Sequence, residues 1–116
     1  MSNTLEDRIA GPVLDPTDPS FAAEIAAFNL ATVHAPQLVA CATSTADMAE
    51  AVRFARAQGW SVSVQGAGHG AYTPITEGLL LTTKRMNSVR IDPEAQLAYV
   101  GAGTPWSRVV AEAAPH

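Results

Sequence analysis

The strongest structural signal in this sequence is a strand, helix and strand pattern that ends directly in a glycine-rich segment. Residues 38–42 form a short apolar run that predicts a buried strand. A helix is predicted between Ser44 and Gly59, because Ser44 and Asp47 resemble a capping box and Gly59 is a natural C-terminal stop. The alternating segment 60–64 predicts a second strand, parallel to the first with a right-handed crossover. The chain is thereby restricted to folds that contain a βαβ unit.

Further elements complete a small domain around this unit. The apolar segment 79–83 predicts a third buried strand, and segments 89–91 and 98–100 flank a turn sequence and predict an antiparallel hairpin. Helices are expected over about 18–28 and over 104–114, the latter with a threonine N-cap and a proline at its first position. The predicted fold class is α+β: a small three-stranded, largely parallel βαβ sheet with flanking helices and an antiparallel hairpin.

Two of the predicted helices carry apolar residues at helical spacing, and we expect these residues to face the core. In the first helix they are Phe21, Ile25 and Phe28. In the helix before Gly59 they are Met48, Ala51, Val52 and Ala55.

The chain is long enough for one modest domain. Its 116 residues are 47% hydrophobic and 16% charged, so a core can form and disorder is not expected. Residues 1–17 are interpreted as a flexible lead-in, since glycine and proline interrupt them and little in them should pack. Residues 18–116 are predicted to form the domain. Its low charge fraction favours a face that further protein covers.

Charge and cysteine content exclude several classes of function. The net charge is −4 and the seven basic residues are dispersed, which disfavours nucleic acid and anionic membranes as partners. The single cysteine, Cys41, excludes an internal disulfide and a cysteine-based metal cluster, and we interpret it as a small core residue; no metal site is predicted. The polar N-terminus has no apolar run typical of a signal peptide or anchor, so a cytoplasmic protein is expected.

The glycine-rich segment 66–70, Gly-Ala-Gly-His-Gly, is the candidate site. Small residues let backbone N–H groups approach a ligand closely, and successive N–H groups form a nest suited to a pyrophosphate. The spacing matches neither the dinucleotide fingerprint Gly-x-Gly-x-x-Gly nor a Walker loop. Taken alone, so short a pattern is more often a tight turn with a solvent-exposed histidine.

The segment 62–71 resembles the flavin loop of the vanillyl-alcohol oxidase and p-cresol methylhydroxylase superfamily, and is closest to the bacterial berberine-bridge-enzyme-like branch. The similarity covers roughly residues 28–116, which makes it more specific than the loop by itself. The other similar segments, in the family's order, are Pro36–Val39, the helix 46–57, Lys84–Val89, the turn 92–95 and Val100–Trp106.

This resemblance implies the N-terminal lobe of an FAD-binding domain of the p-cresol methylhydroxylase type, with FAD as cofactor. It implies that His69 is bonded through a ring nitrogen to the 8α-methyl carbon of the flavin. Oxidised flavin can tautomerise to an electrophile, which a neutral imidazole attacks. The residues implied to hold the pyrophosphate and adjacent flavin through backbone N–H groups are Gln65, Gly66, Ala67, Gly68 and Gly70.

The chain departs from the plant-like pattern of the family in this segment, most notably at Gln65. Plant-like members carry Arg-Ser-Gly-Gly-His, whereas this chain has Gln65 in place of the arginine, so any charge pairing that the arginine supplies is lost. The cysteine that attaches the flavin a second time in some members lies beyond the region of similarity, and Cys41 is in the wrong element to replace it.

The function implied is the FAD-binding part of an FAD-linked oxidoreductase that oxidises a small organic substrate by hydride transfer to flavin. The second lobe, the substrate domain and the catalytic base are not in this chain, so no catalytic residue is assigned and the chain alone is expected to be inactive. Uncovered apolar surface should favour a homo-oligomer. Two alternatives are a cofactor-free interaction or scaffold module that retains the fold, and a nucleotide-binding domain that uses the loop for another phosphate ligand.

The remaining candidate residues are interpreted mainly as surface or packing residues. His34 is expected to be a surface residue without a role. Lys84 and Arg85 follow a strand end, where surface charge is favoured over phosphate contact. Trp106 is expected to pack, and Tyr72 fits packing or flavin contact about equally.

Overall fold

The structure, a computed structural model, describes residues 3–116, with side chains described from Leu5 onward. Its longest helix has 14 residues, whereas a transmembrane helix needs about 20, and no helix within residues 3–116 is long and apolar enough to span a bilayer. The elements are α1 (Asn3–Glu6), β1 (Val13–Leu14), α2 (Phe21–Ile25), β2 (Leu38–Cys41), α3 (Thr45–Gln58), β3 (Val62–Gln65), β4 (Leu79–Thr82), β5 (Val89–Asp92), β6 (Leu97–Val100) and α4 (Trp106–Ala113).

The main sheet has the order β1-β2-β4-β3, and β4 pairs in parallel with both β2 and β3. The predicted parallel arrangement is therefore confirmed. The two strands that α3 connects are not neighbours, however, because β4 is inserted between them. A fourth strand, β1, pairs antiparallel with β2 through Val13 and Leu14, and two residues are too few to give a sequence pattern. The predicted hairpin is confirmed as the antiparallel pair of β5 and β6.

Both faces of the sheet are covered, so β2 and β4 are buried along their whole length. This is why each is a continuous apolar run rather than an alternating one. Alternate residues of the two strands face opposite sides. The side that packs against α3 contains Leu38, Ala40, Leu79 and Leu81, and the side that packs against α2 contains Val39, Cys41 and Leu80.

Helix α3 begins and ends as the sequence predicts. The Ser44 hydroxyl accepts a hydrogen bond from the Asp47 backbone N–H (3.1 Å), and Gly59 ends the helix in the left-handed region with φ 72°. The predicted core stripe is correct for Ala51 and Ala55 and wrong for Val52, which is 45% exposed. The side chain of Phe54 is buried there instead, in edge-on contact with Trp60 (5.9 Å between ring centroids).

The N-terminal segment packs more closely than expected. Leu5 and Ile9 are buried against the α3 side of the sheet, and β1 extends the sheet. The expectation that little before residue 18 packs is therefore wrong for residues 5–14. Two apolar side chains and a two-residue strand are enough to pack this segment, although they are too few to form a periodic sequence pattern. The division of the chain at residue 17 stays a prediction.

Helices α2 and α4 are both shorter than predicted. Helix α2 ends at Ile25, where Ala26 becomes extended (ψ 127°), so Phe28 lies outside the helical stripe. Phe21 and Ile25 are buried as expected, but Phe28 is 71% exposed and the prediction that it faces the core is wrong. Helix α4 begins one residue late, with Pro105 in the N-cap position.

The buried Glu24 carboxylate connects α2 to the end of β4. Arg85 donates two hydrogen bonds to it (2.9 and 3.1 Å), and the Thr82 hydroxyl donates a third. Burial raises the pKa of Glu24, but these hydrogen bonds outweigh it and hold the pKa below its ordinary value. Lys84 donates to the Glu24 carbonyl oxygen (3.1 Å), so Lys84 and Arg85 fix α2 in place rather than serving only as surface charge.

Candidate functional site

Residues 66–70, which we call the glycine loop, follow β3 directly. Because β3 and β4 are parallel, the loop lies at their shared carboxyl edge, where the Thr83 N–H donates to the Gln65 carbonyl (3.1 Å). In open α/β sheets, ligands bind outside the carboxyl ends of the strands. The loop is neither helical nor part of a strand, so its backbone groups are not committed to regular structure.

The backbone N–H groups of the glycine loop are unusually free. Within residues 3–116, none of the five N–H groups from Gly66 to Gly70 donates a hydrogen bond to a protein acceptor. The chain turns back just afterwards, where Ala71 donates to the Gly68 carbonyl (3.3 Å) and Tyr72 to the Gly70 carbonyl (3.0 Å). Since backbone N–H groups in folded proteins are nearly always paired, such a row requires an acceptor from solvent or a ligand.

A groove of about 600 Å³ runs along the loop, a volume within the range of small-molecule sites. Besides the loop, His34, Tyr72 and Ile75 line it. A second groove of about 450 Å³ lies on the other side of the loop, against the start of α4. Ala67 and His69 line both grooves, so the histidine stands where the two meet.

His69 lies on the loop surface with its ring available. Its imidazole contacts Phe28, with ring centroids 4.7 Å apart and planes tilted by 50°. In the part of the chain that the structure describes, neither ring nitrogen has a hydrogen-bond partner. The contact leaves both ring nitrogens open to an incoming group. His69 is solvent-exposed, as expected for a histidine in a tight turn, but it also lines a groove.

Gln65 differs from the five loop residues after it. It is the last residue of β3, it is only 5% exposed, and its backbone belongs to the pairing with β4. Its side-chain amide donates to the carbonyl oxygens of Ile25 (3.1 Å) and Ala26 (3.4 Å). Gln65 therefore borders the groove from beneath, with its hydrogen-bonding groups directed into the protein.

His34 is a functional candidate that the sequence interpretation missed. It is 3% exposed, so the expectation of a surface residue is wrong. Its Nε2 lies 2.9 Å from the Gln65 side-chain oxygen, and its Nδ1 accepts from the Ile75 N–H (2.9 Å). Nothing in the local sequence signals this position, since its partners lie 31 and 41 residues further along the chain.

Two aromatic residues border the grooves instead of packing. Tyr72 is 87% exposed beside the first groove. Trp106 is 71% exposed beside the second, so the expectation that it packs is wrong.

Cys41 is a buried core residue, as predicted, and burial raises the pKa of its thiol. It lies on the α2 side of the sheet and does not line either groove.

The residues present fit a dinucleotide diphosphate. No lysine, arginine, aspartate or glutamate lines either groove in the described chain, so backbone dipoles set the local field and no carboxylate repels an anion. A Cβ at Gly70 would meet nothing within 4 Å, which leaves space for a ligand to approach that backbone. A Cβ at Gly66 would meet the Thr83 hydroxyl at 3.4 Å, so the loop sits closely on the end of β4.

Comparisons with known proteins indicate the family of this chain. The FAD binding domain family matches residues 36–116. The (R)-6-hydroxynicotine oxidase of Paenarthrobacter nicotinovorans is 33% identical over 108 residues, which are 91% of this chain and 24% of that protein. An uncharacterized oxidoreductase of the Rhodococcoides fascians fasciation locus is 38% identical over 82 residues, 68% of this chain and 18% of that protein.

The fold agrees as well. A crystal structure of 6-hydroxy-D-nicotine oxidase from Arthrobacter nicotinovorans superimposes with a TM-score of 0.84 at 33% identity, covering 92% of this chain and 24% of that one. This chain thus spans a quarter or less of the length of these relatives. The family match includes β2, the glycine loop and every later element. The chain therefore belongs to the FAD binding domain family, and it corresponds to the N-terminal part of that domain in the vanillyl-alcohol oxidase and p-cresol methylhydroxylase superfamily.

Proposed function

We propose that this chain forms part of the FAD site of a flavin-dependent oxidoreductase, with the glycine loop against the pyrophosphate and His69 beside the flavin ring. The observation that carries the proposal is the row of five backbone N–H groups without protein acceptors, in a loop that lines a groove together with an unbonded imidazole. The family match supports FAD as the ligand.

Gly66, Ala67, Gly68 and Gly70 hold the diphosphate through backbone N–H groups. An amide nest binds an anion through fixed dipoles, so this site does not need the arginine that plant-like relatives carry at the position of Gln65. Gln65 contributes by placing the loop, because its own side chain is bonded inside the protein.

His69 is the proposed point of covalent attachment. The link would form a C–N bond at the expense of one C–H bond of the 8α-methyl group and the N–H bond of the imidazole, so two electrons and two protons would leave, with molecular oxygen as their acceptor. The reaction requires a ring nitrogen with an available lone pair, and the unbonded nitrogens of His69 meet this requirement. Phe28 packs on the ring and limits its rotation.

FAD supplies the redox chemistry when bound, by accepting a hydride from a small organic substrate. The residues of this chain bind and orient the cofactor. The relative named as a 6-hydroxynicotine oxidase supports oxidation of a small organic substrate as the reaction class of the whole protein. The berberine-bridge-enzyme-like branch and a cytoplasmic location also remain our proposals.

FAD titration followed by acid precipitation tests the proposal, with His69→Ala as the variant and His116→Ala as the matched histidine control. We expect wild type and His116→Ala to bind FAD and to keep yellow colour in the acid pellet. His69→Ala should bind FAD and release it on precipitation, because the amide nest is intact. Colour in the wild-type supernatant would contradict the covalent link alone.

The same titration separates the alternatives. Absence of any FAD-dependent fluorescence change at micromolar protein would contradict the FAD site and favour a cofactor-free scaffold module. Equal affinity for FAD and for simple nucleoside diphosphates would favour the more general nucleotide-binding function, since only FAD uses the groove beside His69.

A further inference from the structure

We propose that His34 is a positioning residue for the glycine loop, held as a neutral imidazole with its proton on Nε2. This inference rests on the proposed function, since the loop that His34 positions is the proposed pyrophosphate site. Its basis is a chain of hydrogen bonds that runs from the Ile75 backbone through His34 and Gln65 to the end of α2.

The two ends of this chain of hydrogen bonds fix every proton within it. The carbonyl oxygens of Ile25 and Ala26 only accept, so the Gln65 group facing them is its NH₂, and its oxygen faces His34. That oxygen requires a donor, which places a proton on Nε2 of His34. At the other end the Ile75 N–H donates to Nδ1, which must therefore be unprotonated.

Both ends lead to the same tautomer, and no other protonation state satisfies all the partners. A second ring proton would set an N–H on Nδ1 against the N–H of Ile75. The Nδ1–H tautomer would fail at both bonds. Neutral histidine is the side chain that offers one donor and one acceptor on opposite sides of a rigid ring, which is the combination required here.

His34 is distant in sequence from both of its partners and joins two segments that line the groove, the end of β3 and the segment around Ile75. At Gln65 it contacts the residue from which the glycine loop begins, and at Ile75 it contacts a lining residue that follows the loop. The imidazole is buried, so loss of either bond leaves a polar group without water to replace its partner. The position of the glycine loop relative to Ile75 is thus held by a residue that does not belong to the loop.

If His34 positions the glycine loop, its substitution should weaken FAD binding specifically. If His34 only stabilises the fold, its substitution should affect FAD binding no more than another core substitution does. His34→Phe keeps the ring volume and removes both hydrogen bonds, and Gln65→Leu removes the same connection from the other side. Phe54→Leu is the control, because Phe54 is buried on the α3 side of the sheet, in the cluster opposite α2. All variants are compared at a temperature at which each is folded by circular dichroism.

We expect His34→Phe and Gln65→Leu each to weaken FAD binding about tenfold or more, the factor that corresponds to one or two lost hydrogen bonds. The double variant should be little weaker than the poorer single variant, because both changes break one connection. Phe54→Leu should change FAD affinity less than about twofold while lowering stability. Equal effects of His34→Phe and Phe54→Leu on affinity, or additive effects in the double variant, would overturn the inference.

Nitrogen-15 NMR of histidine-labelled protein provides a test that does not use FAD. We expect His34 to show a protonated Nε2 and an unprotonated Nδ1 in wild type, and Gln65→Leu to disturb this signature. His34→Phe should also speed amide exchange at Ile75. A wild-type spectrum with the proton on Nδ1 would refute the proposed tautomer. If the wild-type chain does not bind FAD, the proposed function fails, while the spectrum and the exchange rates still decide the role of His34.

Discussion

Gly68 and Gly70 belong to the same loop, but each is glycine for its own physical reason. Gly68 has φ +78°, and a Cβ there would lie 2.9 Å from the Ala27 Cα and 3.1 Å from the Gln65 side chain. Gly70 has no such restriction, because the space around it is open. The first glycine is therefore required by the fold, and the second is required only if a ligand occupies the groove.

Alanine substitutions separate these two roles. Gly68→Ala should lower the free energy of unfolding by about 1–3 kcal/mol through backbone strain and the contact with Ala27. Gly70→Ala should change it by less than about 0.5 kcal/mol, yet weaken FAD binding severalfold because the methyl group enters the groove. Urea denaturation and FAD titration measure the two effects. Wild-type affinity in Gly70→Ala would show that the ligand does not approach this part of the loop.

At the level of elements, Asp47 joins the N-terminal segment to helix α3. Its carboxylate accepts hydrogen bonds from the backbone N–H groups of Ala10 (2.9 Å), Gly11 (3.0 Å) and Thr43 (3.0 Å), and from the Thr43 hydroxyl (2.7 Å). The sequence pattern suggests a capping box, but this side chain connects three segments instead of closing one helix end. Burial raises the pKa of Asp47, but the four donors outweigh it and lower the pKa from 3.8 to about 2.

This lowered pKa predicts acid sensitivity. The group is more acidic in the folded chain, so its stabilisation is complete above pH 3.8 and is lost as the pH falls towards about 2. The shift corresponds to about 2 kcal/mol at neutral pH. The Asp47→Asn substitution should lower the free energy of unfolding at pH 7 by at least this amount. It should also make the free energy of unfolding depend less on pH between pH 5 and pH 2.

Urea denaturation across this pH range measures the effect, and the exposed Glu112 supplies the control. Glu112→Gln should keep the wild-type pH dependence. Parallel pH profiles for Asp47→Asn and wild type would show that Asp47 does not hold the N-terminal segment in this way.

At the scale of the whole molecule, β3 forms one edge of the sheet in the described chain, with Val62 and Val64 exposed by 38% and 58%. An exposed apolar edge is a template for pairing with another strand. We therefore expect self-association through β3, and Val64→Lys should reduce it. The control Val52→Lys, at an exposed position of α3, should leave self-association unchanged. Light scattering over a range of concentrations measures this, and a monomer at high concentration would contradict it.

Elements that depend on neighbouring residues could be predicted from the sequence, whereas side-chain positions that depend on packing could not. The strands β2 to β6, the hairpin and the ends of α3 follow from periodicity and capping, which are properties of neighbouring residues, and these predictions are confirmed. Strand β1 was not predicted. The glycine loop is placed where the sequence predicts, whereas the covalent link through His69 stays a prediction. Val52 was wrongly included in the core stripe of α3 and Phe54 was left out, because only the packing of the helix against the sheet selects Phe54.

The sequence by itself determined the local framework of this protein: strands β2 to β6 and helix α3, the position at which small residues free the backbone, and the family to which they point. Only the tertiary structure decided the insertion of β4 between β2 and β3, the burial of Leu5 and Ile9, and the contact of His34 with Gln65. The physical reason is that periodicity and capping act within a few residues. Pairing and polar burial depend on groups that are tens of residues apart and meet only when the chain has folded.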